Sequence, residues 1–361
     1  MRPTSCEISV EAIAQNVETL RALVNPTPVC AVVKANGYGH GAVEVAEAAL
    51  GAGASWLAVA IVEEGVELRS AGIDAPILVL SQQAPSSHRD LVDFGLTPTI
   101  NTLNGLAALD AAAAGSGPLK VHIGLDTGMR RVGVEPDDLS AVLAAVESSN
   151  NLVVEAAWTH CPVADEPENP FTDGQLSRFD AAVGASELPT HVGNSAVAFT
   201  RPDRGAFMVR CGISLYGIDP DPALAGMVDL APALTLRSQV TFAKRIGAGE
   251  AVGYGHRWRA RVSTGIATVP IGYADGVRRD LGLRGGQVLI GGRRHPIVGV
   301  VAMDQLMVDV GEHDVTVGDE VVLIGQQGDD EITAAELATT LDTIPYEVVC
   351  AIGQRVPRRY I

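Results

Sequence analysis

Basic residues are scarce in this chain. Only 26 Lys and Arg stand against 43 Asp and Glu, for a net charge of −17. Nucleic acids and anionic membrane surfaces both reward clustered Lys and Arg, so neither is expected as a partner. Cysteine is also sparse. Cys6, Cys30, Cys161, Cys211 and Cys350 are odd in number and scattered, with no CxxC or Cys/His ligand spacing. That speaks against a disulfide framework and against any metal site, and it fits reduced thiols in a cytoplasmic protein. Long apolar runs are missing too, and none reaches the length that spans a bilayer. The opening MRPTSCEISVEA carries acids and lacks an apolar core, so no secretory signal is expected there. There is no internal repeat, low-complexity tract or disordered linker.

What the chain does have is core-forming sequence. Its 361 residues are 47% hydrophobic and 19% charged, enough for a barrel plus a smaller domain. Eight apolar runs read as strands, at 28–34, 56–62, 76–81, 97–100, 119–126, 152–160, 189–194 and 209–213. Helical stretches, many of them Ala-rich, lie between them, at 42–50, 63–71, 103–114, 137–148 and 175–184. Eight consecutive strand–helix units predict an α/β fold that opens with a (β/α)8 TIM-type barrel. From about 234 the helical periodicity fades. Short Val-, Ile- and Gly-rich runs take over at 238–246, 262–270, 287–290, 295–301, 305–310 and 320–324, with one helix at 334–341. The expected layout is a barrel over 12–233 and a mainly-β C-terminal domain over 234–361, with residues 1–11 adding a strand to the latter. The Pro- and acid-rich segment 161–172 reads as a surface loop.

Lys34 closes the apolar run PVCAVV and opens the glycine-rich ANGYGHG, which reads as a loop leading into a helix. A lysine at such a junction has its stem among apolar neighbours and its amine at the mouth of a site. Desolvation there favours the neutral, nucleophilic amine that a Schiff base requires. Taken alone, Lys34 equally suits a solvated strand end. In barrels of this type, however, chemistry sits at the C-terminal ends of the strands. Lys34 ends the first run, Asp126 and the following Arg131 the fifth, His160 the sixth, Asn194 and Ser195 the seventh. Arg210, Gly212 and Ile213 belong to the eighth, so all converge on one rim. A hydroxyl from Ser195 and backbone N–H groups from Gly212 and Ile213 suit a phosphate. Lysine plus phosphate cradle in one barrel mouth suggests pyridoxal 5'-phosphate (PLP).

At this point the sequence resembles the alanine racemase family, barrel-fold PLP enzymes. AVVKANGYGHG (31–41) is similar to the family's lysine motif, with Gly37 where Ala is usual. LDTGMRRVG (125–133) resembles its substrate-carboxylate motif, and HVGNSAVAFTRPDRGAFMVRCGISLYG (191–217) its phosphate and pyridine segment. VGYGHRW (252–258), IGYADGVRR (271–279), AMDQLMV (302–308) and PYEVVCAIGQRVPRRY (345–360) are similar to its second domain. One such motif is weak evidence; seven in the family's order are strong.

The resemblance implies a role for each matching residue. Lys34 would hold the cofactor and act as one proton-transfer base, with Tyr254 as the opposite base. His160, Arg210 and Tyr273 would polarise the tyrosine, whose reference pKa of about 10 is otherwise too high. Arg210 would face the pyridine nitrogen. Arg131 would bind the substrate carboxylate through its planar fork. Tyr38, Ser195, Gly212, Ile213 and Gln354 would surround the phosphate, with Asn194 nearby. Met303 and Asp304 would reach into a partner subunit's site, which implies a homodimer with shared active sites and a small amino-acid substrate.

Two positions depart from the family pattern. Gly124 stands where many members carry a lysine that becomes carbamylated and orients the carboxylate-binding arginine. Arg131 then needs another partner, an anion such as chloride or a water. Gln354 stands where tyrosine is usual. Both departures predict a roomier pocket with looser control of the substrate. Three readings follow. The first is PLP-dependent racemisation of alanine by Lys34 and Tyr254. The second is a same-fold PLP enzyme acting on serine or another amino acid, by racemisation, aldol-type cleavage, hydroxymethyl transfer or decarboxylation. The third is a non-catalytic PLP carrier, against which Tyr254 counts.

Overall fold

The computed structural model describes residues 2–184, 186–204 and 206–361. They form two compact units: one of residues 11–37 and 42–231, the other of residues up to 10, 38–41 and 232–361.

The first unit is an eight-stranded, all-parallel barrel. An N-terminal strand β1 (Ser5–Ile8) precedes it in sequence. The barrel strands are β2 (Val29–Val32), β3 (Trp56–Val59), β4 (Ile77–Val79), β5 (Thr97–Ile100), β6 (Leu119–Gly124), β7 (Leu152–Trp158), β8 (Thr190–His191) and β9 (Val209–Cys211). They pair in the order β8-β7-β6-β5-β4-β3-β2-β9. Backbone bonds from Phe207 N to Thr190 O (2.8 Å) and from Arg210 N to Gly193 O (2.9 Å) join the two end strands. Helices cover the outer face of each strand and the barrel's own packed interior the inner face, which is why β2 (VCAV) and β4 (ILV) are apolar throughout and fully buried. Seven of the eight observed barrel strands are shorter than the apolar runs, mostly at their C-terminal ends, where the chain leaves the sheet to build the rim. Helices Ala42–Gly51, Val62–Ser70, Leu103–Ala113, Leu139–Glu147 and Phe171–Val183 fall in the expected places.

The second unit is mainly β. Its strands are β10 (Leu234–Gln239), β11 (Phe242–Ile246), β12 (Ala251–Val252), β13 (Trp258–Arg259), β14 (Thr264–Val269), β15 (Gln287–Ile290), β16 (Arg293–Pro296), β17 (Leu306–Gly311), β18 (Glu320–Gln327), β19 (Asp330–Ile332) and β20 (Arg358–Tyr360). The larger sheet runs β16-β15-β18-β10-β1-β20, with β19 on β18. A second sheet runs β11-β14-β17. Strand β1 lies between β10, antiparallel, and β20, parallel.

Three expectations need correction. The apolar run 238–246 is two strands in two sheets, because Val240 N bonds to Asp319 O and Thr241 N to Thr268 O, which peels the chain apart between them. The run 295–301 leaves the sheet after Pro296, which has no N–H for the ladder. A helix at Pro345–Cys350 was not legible as one; it begins with proline, whose missing N–H is harmless at that position. No described helix is long and apolar enough to cross a membrane.

Candidate active site

Lys34 follows β2 directly. The residues after it do not form the open loop expected. Ala35, Asn36, Gly37 and Tyr38 all have φ between 51° and 58°, a single left-handed turn closed by Gly37 N to Val33 O (2.8 Å). Non-glycine residues resist this conformation, so the turn is strained and must be held from outside. Asn36 Oδ1 accepts from Ala42 N at 3.0 Å, and Glu64 Oε1 accepts from Ala35 N at 2.6 Å. Below the turn, the buried Tyr216 donates its hydroxyl to Val32 O at 3.0 Å. The lysine is thereby fixed at the C-terminal end of the strand.

The rim around His160 is strongly cationic. Burial pushes its imidazole down to about 3, and Arg210, Arg131 and Lys34 push the same way, in that order. Three cations thus bear on one neutral histidine, whose own carbonyl accepts from Gln175 Nε2 at 2.7 Å. Arg210 is buried and held at its fork: Nη1 reaches His191 Nδ1 (2.6 Å) and His191 O (3.1 Å), and Nη2 donates to Thr159 O (2.9 Å). Its Cζ lies 4.6 Å from the centre of the Trp158 ring. Burial lowers Arg210 to about 10, so it stays cationic at neutral pH.

Ser195 Oγ accepts from Gly212 N at 2.9 Å. That bond leaves its hydroxyl proton free to be donated. Ile213 opens a short 3-10 turn after Gly212, and Ser195 opens the helix Ser195–Thr200, so both backbone N–H groups lie in first turns that have no internal partner. Asn194 caps that helix, accepting from Val197 N (2.9 Å) and donating to Cys161 O (3.1 Å). Both ends of its amide are therefore used within the barrel.

Arg131 is exposed on the loop after β6. Asp126 shapes this loop by accepting from Gly128 N (2.9 Å) and Arg130 N (3.0 Å). Among the described residues no acid pairs with Arg131. The space beside Gly124 is taken: a Cβ there would lie 2.5 Å from Asn101 Oδ1 and 3.1 Å from Thr99 Cγ2. The roomier pocket expected from Gly124 is therefore not found at that position, because the Asn101 side chain from the neighbouring strand fills it.

The second unit gathers the remaining candidates. Tyr38 is buried, its ring 6.1 Å from that of Tyr346. Tyr273 N donates to Ala302 O and Ala274 N to Met303 O, both at 3.0 Å, so Tyr273, Met303 and Asp304 share one edge. Asp304 accepts from Arg355 Nη2 at 2.7 Å, beside the exposed Gln354. Tyr254 stands between Gly253 (φ 72°) and Gly255 (φ 70°) and is 73% exposed. Several polar residues escaped the sequence reading: Asn101, His122, Glu155, His191, Asp275 and Arg355. The only available signal was histidine inside two of the apolar strand runs.

A closed parallel barrel whose C-terminal rim carries Lys34, Arg131, His160 and Arg210, with a mainly-β unit in the same chain, is the architecture of an enzyme. The comparisons with known proteins are more specific. Residues 8–220 match the alanine racemase N-terminal domain and residues 233–360 the alanine racemase C-terminal domain. The chain belongs to the alanine racemase family, and it is an isomerase of that family. It is 46% identical to an alanine racemase of Symbiobacterium thermophilum, over 100% of this chain and 97% of that protein. Among solved structures it is similar to alanine racemase from E. faecalis, with a TM-score of 0.95 and 40% identity over 100% of this chain and 98% of that one. A histidine racemase from Leuconostoc mesenteroides subsp. sake also superposes, at a TM-score of 0.91 and 31% identity over 100% and 98% of the two chains.

Proposed function

We propose that this protein is a PLP-dependent alanine racemase that interconverts L- and D-alanine, with Lys34 and Tyr254 as the two proton-transfer groups. The observation that carries this reading is the rim in which Arg210, Arg131 and Lys34 all bear on His160, beside a Ser195 hydroxyl whose oxygen accepts from Gly212 N. A phosphate-bearing cofactor and a carboxylate substrate both suit a rim that carries these cations. The hydroxyl proton of Ser195 and the backbone N–H groups of Ile213 and Ser195 suit the phosphate, whereas the Gly212 N–H expected to join them is instead donated to Ser195 Oγ. Tyr38 and Gln354 would add to the cradle. When bound, PLP supplies an electron-withdrawing ring that acidifies the substrate Cα–H.

The chain's own residues do the rest. Lys34 Nζ would attach the cofactor and carry the proton on one face. Tyr254 Oη would carry it on the other. Arg131 would hold the substrate carboxylate, and Tyr273, Met303 and Asp304 would bound the pocket. Arg210 has donors only and remains charged, so it would not protonate a ring nitrogen facing it. That weakens the electron sink and favours prompt return of the proton over transamination. Asn194 would keep Ser195 in place. The exposed Tyr254, Met303 (52%) and Tyr273 (42%) support a homodimer in which each subunit completes its partner's site. The same reading divides the chain at 233/234, with the N-terminal strand joined to the second domain, and puts it in the cytoplasm, where five cysteines outside any disulfide stay reduced.

Incubation with L-alanine in deuterated water tests this. Loss of the α-proton together with inversion is expected. Exchange with full retention would overturn the role of Tyr254, and no exchange would overturn the reaction. A second substrate is favoured by one feature, the exposed Gln354 where the family places tyrosine. Rates on a panel of L-amino acids, serine and histidine included, decide it; a strong preference for alanine removes it.

A further inference from the structure

The barrel interior holds a chain of polar groups that this function does not account for. It begins at Arg210, whose Nη1 lies 2.6 Å from His191 Nδ1. His191 Nε2 lies 2.9 Å from His122 Nδ1. His122 Nε2 lies 3.3 Å from Glu155 Oε2. Glu155 Oε1 is 2.5 Å from the exposed Lys120 Nζ. Four strands, β6 to β9, contribute one link or more each.

Only one proton arrangement satisfies this chain. A guanidinium can only donate, so His191 Nδ1 must accept. A neutral imidazole has one donor and one acceptor, so His191 donates from Nε2 and His122 accepts at Nδ1. His122 then donates from Nε2 to a carboxylate that can only accept. Aromatic rings seal the path. Trp158 stacks on His191 at 5.8 Å and 9°, while Trp56 and Phe207 lie 5.5 and 5.7 Å from His122. Both imidazoles are held neutral, chiefly by burial. The charged groups facing them are Arg210 for His191, and Glu155, Arg210 and Lys120 for His122.

The backbone is arranged for this contact. Strand β7 pairs with β6 as Val121↔Val154 and then His122↔Ala156, so Glu155 is the extra residue of a β-bulge. A bulge re-aims a side chain that strand alternation would direct elsewhere. Arg210, a buried cation, has no carboxylate in contact among the described residues, and such a charge is costly to leave uncompensated.

We infer that Glu155 is the remote counter-ion and positioning residue of Arg210, acting through the neutral imidazoles of His122 and His191. The relay polarises His191 Nδ1 and fixes the plane of the guanidinium. It thereby sets how strongly Arg210 presents its remaining N–H, and this inference rests on the racemase reading for its effect on rate.

Two measurements test it. In the unsubstituted, cofactor-loaded protein labelled with 15N-histidine, His122 and His191 should both be neutral Nε2–H tautomers at pH 7. A charged ring or an Nδ1–H tautomer at either position overturns the relay. This readout needs neither a folded variant nor racemase activity, so failure of the functional reading stays distinguishable. Second, E155Q should lower kcat by about tenfold with KM little changed. In an Arg210→Lys background the same change should have no further effect. Additive losses would mean that Glu155 acts on the fold alone.

Discussion

An alanine at position 272 would place its Cβ 2.3 Å from Ala302 O and 2.4 Å from Met303 O. Gly272 has φ −151°, an ordinary extended conformation, so the conflict is steric and not one of backbone preference. Both obstacles are main-chain carbonyls, which no rotamer change can move. Ordinary contact begins at 3.4 Å, so the 272–276 turn and the 302–304 edge must part by about 1 Å. That parting stretches two backbone bonds, Tyr273 N to Ala302 O and Ala274 N to Met303 O, each 3.0 Å. Overpacking and two weakened hydrogen bonds together cost about 2–4 kcal/mol. For a unit of this size that lowers Tm by roughly 5–15 °C. A displacement of about 1 Å in positioning residues costs about 100-fold in rate, so kcat for alanine racemisation should fall about 100-fold in G272A. Thermal melting and racemisation kinetics on the same preparation check both. Gly51 has nothing within 4 Å of an added Cβ, so G51A serves as the control. If G272A keeps kcat within about threefold of the parent, Tyr273 and Met303 do not need this register, and their assignment to the pocket fails.

Other outcomes are equally specific. Gly37→Ala should destabilise by about 1–2 kcal/mol in chemical denaturation, since φ is +58° and the new Cβ would sit 3.3 Å from Ala42 N; no loss would mean that the turn is not strained. Gly124→Ala should cost about 1–3 kcal/mol through Asn101 Oδ1, and Asn101→Gly should restore most of it, as a double-mutant cycle would read. Lys34→Ala should abolish the visible band of lysine-bound cofactor; a band that persists would place the attachment elsewhere. His160, His122 and His191 all titrate below the free imidazole value of 6.5, through burial first. The unfolded chain therefore binds more protons below about pH 6.5, and stability falls with acidification, for His160 across the window from 6.5 down to about 3. Melting temperature against pH should show this, with a shallower slope in His160→Gln.

Much of the fold was legible because its signals are local. The apolar runs at 97–100 and 287–290 and the helix at 334–341 coincide with observed elements. Period-2 and period-3.6 patterning are properties of neighbouring residues, and they survive into the structure. The failures lie where distant residues decide. Nothing in 238–246 announces that Asp319 and Thr268 will pull Val240 and Thr241 into different sheets. The rim is expected for the same reason as the barrel: residues ending apolar runs meet at one mouth once the strands are parallel. Asn101 beside Gly124, and Arg355 beside Asp304, were not legible, since each pairing is a contact across the sequence that no spacing encodes.

By itself the sequence determined the class of this protein. Eight apolar runs with helical stretches between them dictate a barrel, and they put Lys34, Arg131, His160, Ser195 and Arg210 in or just after those runs, where one mouth is expected. Tertiary structure alone decided what surrounds those groups. It placed the left-handed turn under Lys34, filled the space at Gly124, and bulged β7 so that Glu155 meets His122. The reason is physical. Periodicity depends on covalent neighbours, whereas strain, filled volume and proton order in a buried chain exist only once packing has excluded water and brought distant strands side by side.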